Sequence, residues 1–245
     1  MAGALFSFER CLDSSYLNAV KMIFPSSRLR FSMVPMSDPQ LAETRPYHHG
    51  DLRRGLVDAA RRLLESEGPS ALSLRAVARE AGVSPAAPYH HFKDKSELLE
   101  AIAYEGWNAL DASMVHAKAT APDAGAAITE IGVAYVCFAT QHPALYRVMY
   151  DRARDKESLP DHLEDDHENA YCRVRDTLVE AGADPAAEID LELATIAAWC
   201  AGHGLAEMNS FKQFDKLKEA VGGEIAFLRA VFNHMGIFPT PSHGK

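Results

Sequence analysis

Gly82-Val83-Ser84-Pro85-Ala86-Ala87-Pro88-Tyr89-His90-His91-Phe92 is the stretch that decides how this chain folds. Gly82 supplies the left-handed backbone that turns one short helix sharply into the next, and Ser84 is placed to cap the second of them. Pro85 then falls at the first helical position, where its missing N–H costs nothing. Pro88 falls at the fourth, where an amide would donate to the Ser84 carbonyl, so the helix forfeits its first internal bond.

The flanks complete a module. Upstream, Leu52, Leu56, Ala59, Ala60, Leu63 and Leu64 share one helical face, with Arg53, Arg54, Arg61 and Arg62 on the other. Asp51 is the expected cap of this helix and Gly68-Pro69 its end. Ser73 caps a short second helix, with Leu74, Val77, Ala78 and Ala81 inward and Arg75 and Arg79 outward. Downstream, Lys93-Asp94 bends the chain into a longer helix from Lys95 to about Ala117. Helix, helix, tight glycine turn and helix make a helix-turn-helix domain.

Set against a phosphate-lined groove, Ala86 and Ala87 leave a smooth apolar edge that can approach a base pair and touch a thymine methyl. Tyr89, His90 and Lys95 offer phosphate donors, and the amides opening the next helix add a positive dipole end. Charge agrees with this division. The chain carries −9 overall, but residues 47–95 hold eight basic and six acidic side chains, and residues 96–245 hold twelve and twenty-four. A mildly basic module therefore precedes a strongly acidic body, as expected if only the first part approaches nucleic acid.

Residues 1–46 carry Pro25, Pro35, Pro39 and Pro46 with no sustained periodicity and read as a poorly ordered extension; an arm reaching into a minor groove is the alternative. Beyond the module the pattern stays helical, near 124–140, 143–150, 161–181, 187–209 and 221–235, with loops at 151–160 and 182–186 and no strand-period segment. The fold class is all-α, with about nine helices. The expected domains are 47–107 for the helix-turn-helix unit and 108–237 for the body, followed by a tail at 238–245. Cys11, Cys137, Cys172 and Cys200 stand singly, without a disulfide or zinc-knuckle spacing, and no apolar run reaches the roughly 18 residues of a membrane helix. A cytoplasmic protein with no membrane attachment is expected.

The run from Gly50 to Trp107 resembles the DNA-binding domain of the TetR family of bacterial transcriptional regulators. The likeness rests on the apolar first helix, Ser73-Leu74-Arg75, Gly82-Val83-Ser84, Tyr89-His90-His91-Phe92 and Lys95. It implies a homodimer that binds a palindromic operator in double-stranded DNA and releases it when a small-molecule effector occupies the C-terminal domain. Carried over by position, Ser73, Tyr89, His90 and Lys95 hold phosphates, Arg75 and the edge of Pro85, Ala86 and Ala87 face bases, and Val83, His91 and Phe92 hold the module together. A solvated helix face is the equal alternative for Arg75. Pro88 departs from the family, which more often places an apolar leucine there.

In the acidic body, Trp199-Cys200-Ala201-Gly202-His203-Gly204 lies on a helix that is apolar nearly all round and so is buried on more than one side. With the stripe Val221, Ile225, Leu228, Phe232 and Met235, it is the expected dimer interface. The Trp-His-Gly segment, with Pro143–Met149, looks like the WHG-type C-terminal domain of some TetR-like regulators. That reading makes Phe138, Tyr146, Met149, Tyr171, Trp199 and His203 an effector pocket; the plainer and preferred reading leaves His203 a hydrogen-bonded interface residue and the aromatics core.

Asp161–Glu168 pairs Glu164 with His167 and His162 with Asp166, but a solvated helix face explains the run better than a metal site. No nucleophile elbow, phosphate loop or HExxH is present, so no enzyme, cofactor or metal is called for. The expected protein is a regulator, a repressor rather than an activator. The alternatives are a metal- or thiol-responsive regulator, or a helical ligand-binding protein without DNA function.

Overall fold

The computed structural model describes residues 49–154 and 169–236, and these residues form helices and turns with no strand. Helix α1 (His49–Glu67) starts two residues before Asp51, which therefore lies within the helix and does not cap it. Its inward face buries Leu56, Val57, Ala59, Ala60, Leu63 and Leu64. Arg61 is not on the solvated face: its guanidinium lies 3.8 Å from Glu105, whose carboxyl is held above its ordinary pKa by burial. Arg62 reaches Glu80 at 2.9 Å.

Helix α2 (Leu74–Glu80) opens on Ser73, whose hydroxyl accepts from the Ala76 amide at 3.1 Å. It closes on Gly82 at φ 69°, where the Val83 amide donates to the Ala78 carbonyl and the Gly82 amide to Arg79. That pair of bonds is the Schellman end that a left-handed glycine permits. The turn legible in Gly82 is the turn observed.

The third helix differs from expectation. Pro85 and Ala86 form a turn, Ala87–His90 is a single 3₁₀ turn, and no side chain caps it, so Ser84 is not the cap. The cause is Pro88. An α-helix would bond its amide to the Ser84 carbonyl; that amide does not exist, and the carbonyl instead accepts from Ala87, at 3.0 Å. Pro88 itself is buried, so it fills the space under the reading segment that the family more often gives to leucine. Phe92, 1% exposed, anchors the far end, with the Arg53 guanidinium 5.1 Å from the centre of its ring.

Helix α3 (Lys95–Thr120) runs from this module into the body. Around it stand α4 (Ala124–Gln141), α5 (Pro143–Arg154), α6 (Ala170–Glu180), α7 (Glu188–Met208), α8 (Asp215–Ala220) and α9 (Glu224–His234). Helix α4 is the most enclosed, burying a run from Val133 to Ala139 on every side. It packs on α3, α7, α6 and α9. Asp94, Asp123 and Asn169 cap α3, α4 and α6 through their side chains. Bidentate pairs then fix neighbours: Arg173 with Asp111 joins α6 to α3, and Arg229 with Glu130 joins α9 to α4.

Several boundaries move. Helix α5 continues through residues 151–154, which were expected in a loop, and α6 begins at Ala170 behind its Asn169 cap, while 161–168 fall outside the described residues. The helix expected over 221–235 starts only at Glu224, because Gly222 and Gly223 sit at φ 98° and 111° and end α8 instead.

Helices α3 and α5 meet at Gly106, where an added Cβ would lie 2.6 Å from the Met149 sulfur and 3.1 Å from a Leu145 methyl, both residues fully buried. Overpacking there costs about 1–3 kcal/mol, against roughly 1 kcal/mol that alanine gains in helix propensity. Gly106→Ala is expected to lower the midpoint of thermal unfolding, measured by circular dichroism.

Candidate DNA interface and a cleft in the bundle

The reading segment presents its residues outward. Ser73, Arg75, Arg79, Ser84, Pro85, Ala86, Tyr89, His90 and Lys95 are exposed, Ala87 is half-buried, and Val83 and His91 are half-buried on the supporting side. Tyr89 is 54% exposed, a large share for an aromatic side chain with a free hydroxyl. Three donors are already engaged. The Lys95 ammonium donates to the Pro69 carbonyl at 3.1 Å, so a phosphate there would replace an existing bond. At the start of α3, Asp94 accepts from the Glu97 amide and Glu97 from the Lys93 amide. These two carboxylates answer the helix dipole, and Lys93 and Lys95 are the exposed cationic groups of that corner.

In the body, α4, α5 and α7 enclose a cleft of about 500 Å³, lined by Thr140, Tyr146, Arg147, Tyr150, His203 and Glu207 among others. Its floor is a hydroxyl cluster. The Tyr135 hydroxyl lies 2.9 Å from that of Tyr146, is also hydrogen-bonded to that of Tyr150, and lies 3.3 Å from His203 Nδ1, while Tyr146 reaches the same nitrogen at 2.5 Å. Behind it Trp199 stands edge-on to Tyr135 at 5.4 Å and stacks on Trp107 at 6.2 Å.

The six residues expected to form a pocket divide. Tyr146 and His203 line the cleft. Trp199 sits behind it, and Tyr171 packs on Trp199 while its hydroxyl donates to Glu192. Met149, with no exposed surface, and Phe138, packed on His142, are core. Sequence reading missed Tyr135, Tyr150, Arg147 and Glu207. Tyr150 follows Tyr146 by one helical turn, and Glu207 follows His203 likewise, a spacing that was available; Tyr135 meets His203 across 68 residues and had no local signal.

Among the described residues no three His, Cys, Asp or Glu side chains gather as a metal site, and the acidic run lies outside them. Cys137 is buried, Cys172 half-buried and Cys200 exposed, all as free thiols. No helix among the described residues is long and apolar enough to cross a membrane.

Comparison with known proteins sets this geometry in a family. The model described as "Bacterial regulatory proteins, tetR family" matches residues 56–102, and that described as "Tetracyclin repressor-like, C-terminal domain" matches residues 128–231. The chain belongs to the TetR family.

A 110-residue match, 33% identical, links it to the HTH-type transcriptional regulator BetI of Rhizobium meliloti, over 44% of this chain. That match spans 54% of BetI, about half the relative's length. A solved protein of unknown function from Rhodococcus sp. RHA1 is 31% identical, with a TM-score of 0.63, over 79% of this chain and 97% of that one. A TetR family transcription regulator from Marinobacter aquaeolei, 17% identical over 75% of this chain and 93% of its own, shares the fold at a TM-score of 0.52. BetI and the Marinobacter protein are both described as transcriptional regulators.

Burial raises the pKa values of the floor phenols. Desolvation pushes the Tyr150 phenol up to about 12 and holds those of Tyr135 and Tyr146 higher still. Phenols raised on folding bind their protons more tightly in the native state, so their contribution is complete below the ordinary value of 10.0 and is lost as pH climbs through the folded values. Urea stability is expected to fall steeply above about pH 10, and Tyr150→Phe is expected to flatten that slope.

Proposed function

We propose that this TetR regulator is a cytoplasmic homodimeric repressor that binds a palindromic operator through residues 47–107 and releases it when a small molecule fills the cleft of residues 108–237. The observation that carries the reading is the double duty of α5. Its residues Tyr146, Arg147 and Tyr150 form a wall of the cleft. The same helix touches the reading module: Arg152 Nη1 donates to the Ser96 hydroxyl at 2.8 Å, one residue from Lys95. Just before α5, His142 Nδ1 lies 3.5 Å from the Glu65 carboxylate of α1. The His142 hydrogen bond holds that carboxyl below its ordinary range. A ligand that displaces α5 therefore disturbs both ends of the module, and the equilibrium moves toward a conformer that no longer fits its half-sites.

The dimer has its own support. Ile189, Leu193 and Ile196 on α7 are 76%, 59% and 44% exposed, an apolar stripe along a helix whose other side is core. A second copy across a twofold axis covers such a stripe and sets two reading segments about 34–36 Å apart.

Gel shifts on the chain's own upstream region test the operator claim: a specific, salt-sensitive complex is expected, and its absence sinks it. Lys95→Ala should weaken all sequences alike, whereas Ala87→Ser should change which sequence is preferred. Arg152→Met should leave operator affinity within about threefold and blunt ligand-induced release; unchanged release removes α5 from the mechanism.

A further inference from the structure

The cleft carries charged groups of both signs, and the hydrogen bonds of its floor bear on which of them can donate. Tyr135, Tyr146 and Tyr150 supply one O–H each, and the cluster contains a Tyr150–Tyr135, a Tyr135–Tyr146 and a Tyr146–His203 contact. All three protons find acceptors if Tyr150 donates to Tyr135, Tyr135 to Tyr146, and Tyr146 to His203 Nδ1. With the proton on Nδ1 the chain reverses, and its last hydroxyl proton falls on Tyr150, which is half-buried at the cleft wall and then needs an acceptor supplied from the cleft. In the arrangement that satisfies every hydroxyl without help from the cleft, His203 is the end of the chain. Its Nδ1 accepts, and its Nε2–H remains as a polarised donor on the residue that lines the cleft.

That donor has company of both signs. Arg147 lines the same cleft, is exposed, and makes no ion pair with any described residue. Glu207, one turn after His203 on α7, and Asp151, one turn after Arg147 on α5, bring two carboxylates to the rim. A plain anion would meet those carboxylates and a plain cation would meet Arg147 and the imidazole N–H. Ala139, Pro143 and Ala206 supply the apolar wall between them.

The geometry points to a zwitterionic amino-carboxylate with an apolar body, its carboxylate on Arg147 and His203 Nε2–H and its ammonium toward Glu207 and Asp151. This assignment rests on the cleft being the effector site, but it is tested apart from that reading. Calorimetry on the 245-residue chain would compare two series: phenylalanine, phenethylamine and 3-phenylpropanoate, and 6-aminohexanoate, hexylamine and hexanoate. In at least one series the zwitterion should bind at least tenfold more tightly than either one-charged counterpart. Arg147→Gln should erase the preference over the amine, and Glu207→Gln the preference over the acid. Equal binding of amine and zwitterion makes the cleft a cation site and overturns the proposal; equal binding of acid and zwitterion, or no binding in either series, overturns it too.

Nitrogen-15 shifts of the His203 ring supply a readout independent of any ligand, expected to show Nδ1 unprotonated and Nε2 protonated. The reverse tautomer removes the ground for the assignment. Gel shifts with the tightest probe separate the two claims. Zwitterion binding that leaves the operator complex intact keeps this inference and sinks the repressor mechanism; release by compounds indifferent to Arg147 and Glu207 does the opposite.

Discussion

A hydroxyl buried in the middle of a helical bundle has to find partners, and Tyr135 imposes that demand on the whole body of this protein. It sits on α4, the most enclosed helix, at 2% exposure. An unsatisfied hydroxyl there costs about 1–3 kcal/mol, comparable to a sizeable fraction of a domain's net stability. Tyr146 and Tyr150 from α5 and His203 from α7 meet the demand together. Three helices are thereby held in one register by one atom. Gly202 lets α7 come close enough, since a Cβ there would already lie 3.3 Å from the Tyr135 ring. The cleft exists because these rings are pinned by their hydroxyls at one end and so cannot fold over to fill the space in front of them.

Much of the reading module was legible because its signals are local. Ser73, Gly82 and the apolar faces of α1 and α2 each act within a few residues, and each appears where the pattern puts it. Pro88 was legible in part: its missing amide announced a defect, but a propagated defect was not foreseen, and the segment became a 3₁₀ turn. The body was less legible. Periodicity marks apolar faces without saying which of them the chain's own core covers, so α7 read as buried on more than one side and as dimer interface without showing that Leu193 and Ile196 are the residues left bare in a single chain. Helix α8, six residues long, is too short to show a period. The floor of the cleft joins residues 11 to 68 apart, a distance over which no spacing rule operates.

The defect at Pro88 has a structural logic of its own. A 3₁₀ turn rises about 2.0 Å per residue against 1.5 Å for an α-helix, so the same residues reach further along a groove. The proline's ring is buried while Pro85, Ala86 and Tyr89 are exposed, which separates the anchoring side of the segment from its outward side within five residues. Rigid φ values at residues 85 and 88 lower the entropy lost when the segment is fixed on a partner. Stability is given up inside the turn, and the flanking Schellman end and Phe92 hold the segment in place instead.

The coupling proposed between cleft and module would be small enough to be switched. Ligand-induced changes in affinity of 5- to 150-fold correspond to about 1–3 kcal/mol. The Arg152–Ser96 hydrogen bond is of a kind worth about 0.5–1.5 kcal/mol, and a half-exposed pair such as His142–Glu65 about 0–1 kcal/mol. Loss of both therefore falls inside the range that regulation needs. A buried ion pair in either place would exceed it, because breaking one costs about 3–5 kcal/mol and would lock α5 against any ligand of modest affinity. These two contacts are weak points within a broader seat: α5 packs mainly on α3, around Gly106, and on α1, and meets α4 through the tyrosine hydroxyls, so a shift of α5 is passed to α1 and α3 by packing as well as by these two bonds.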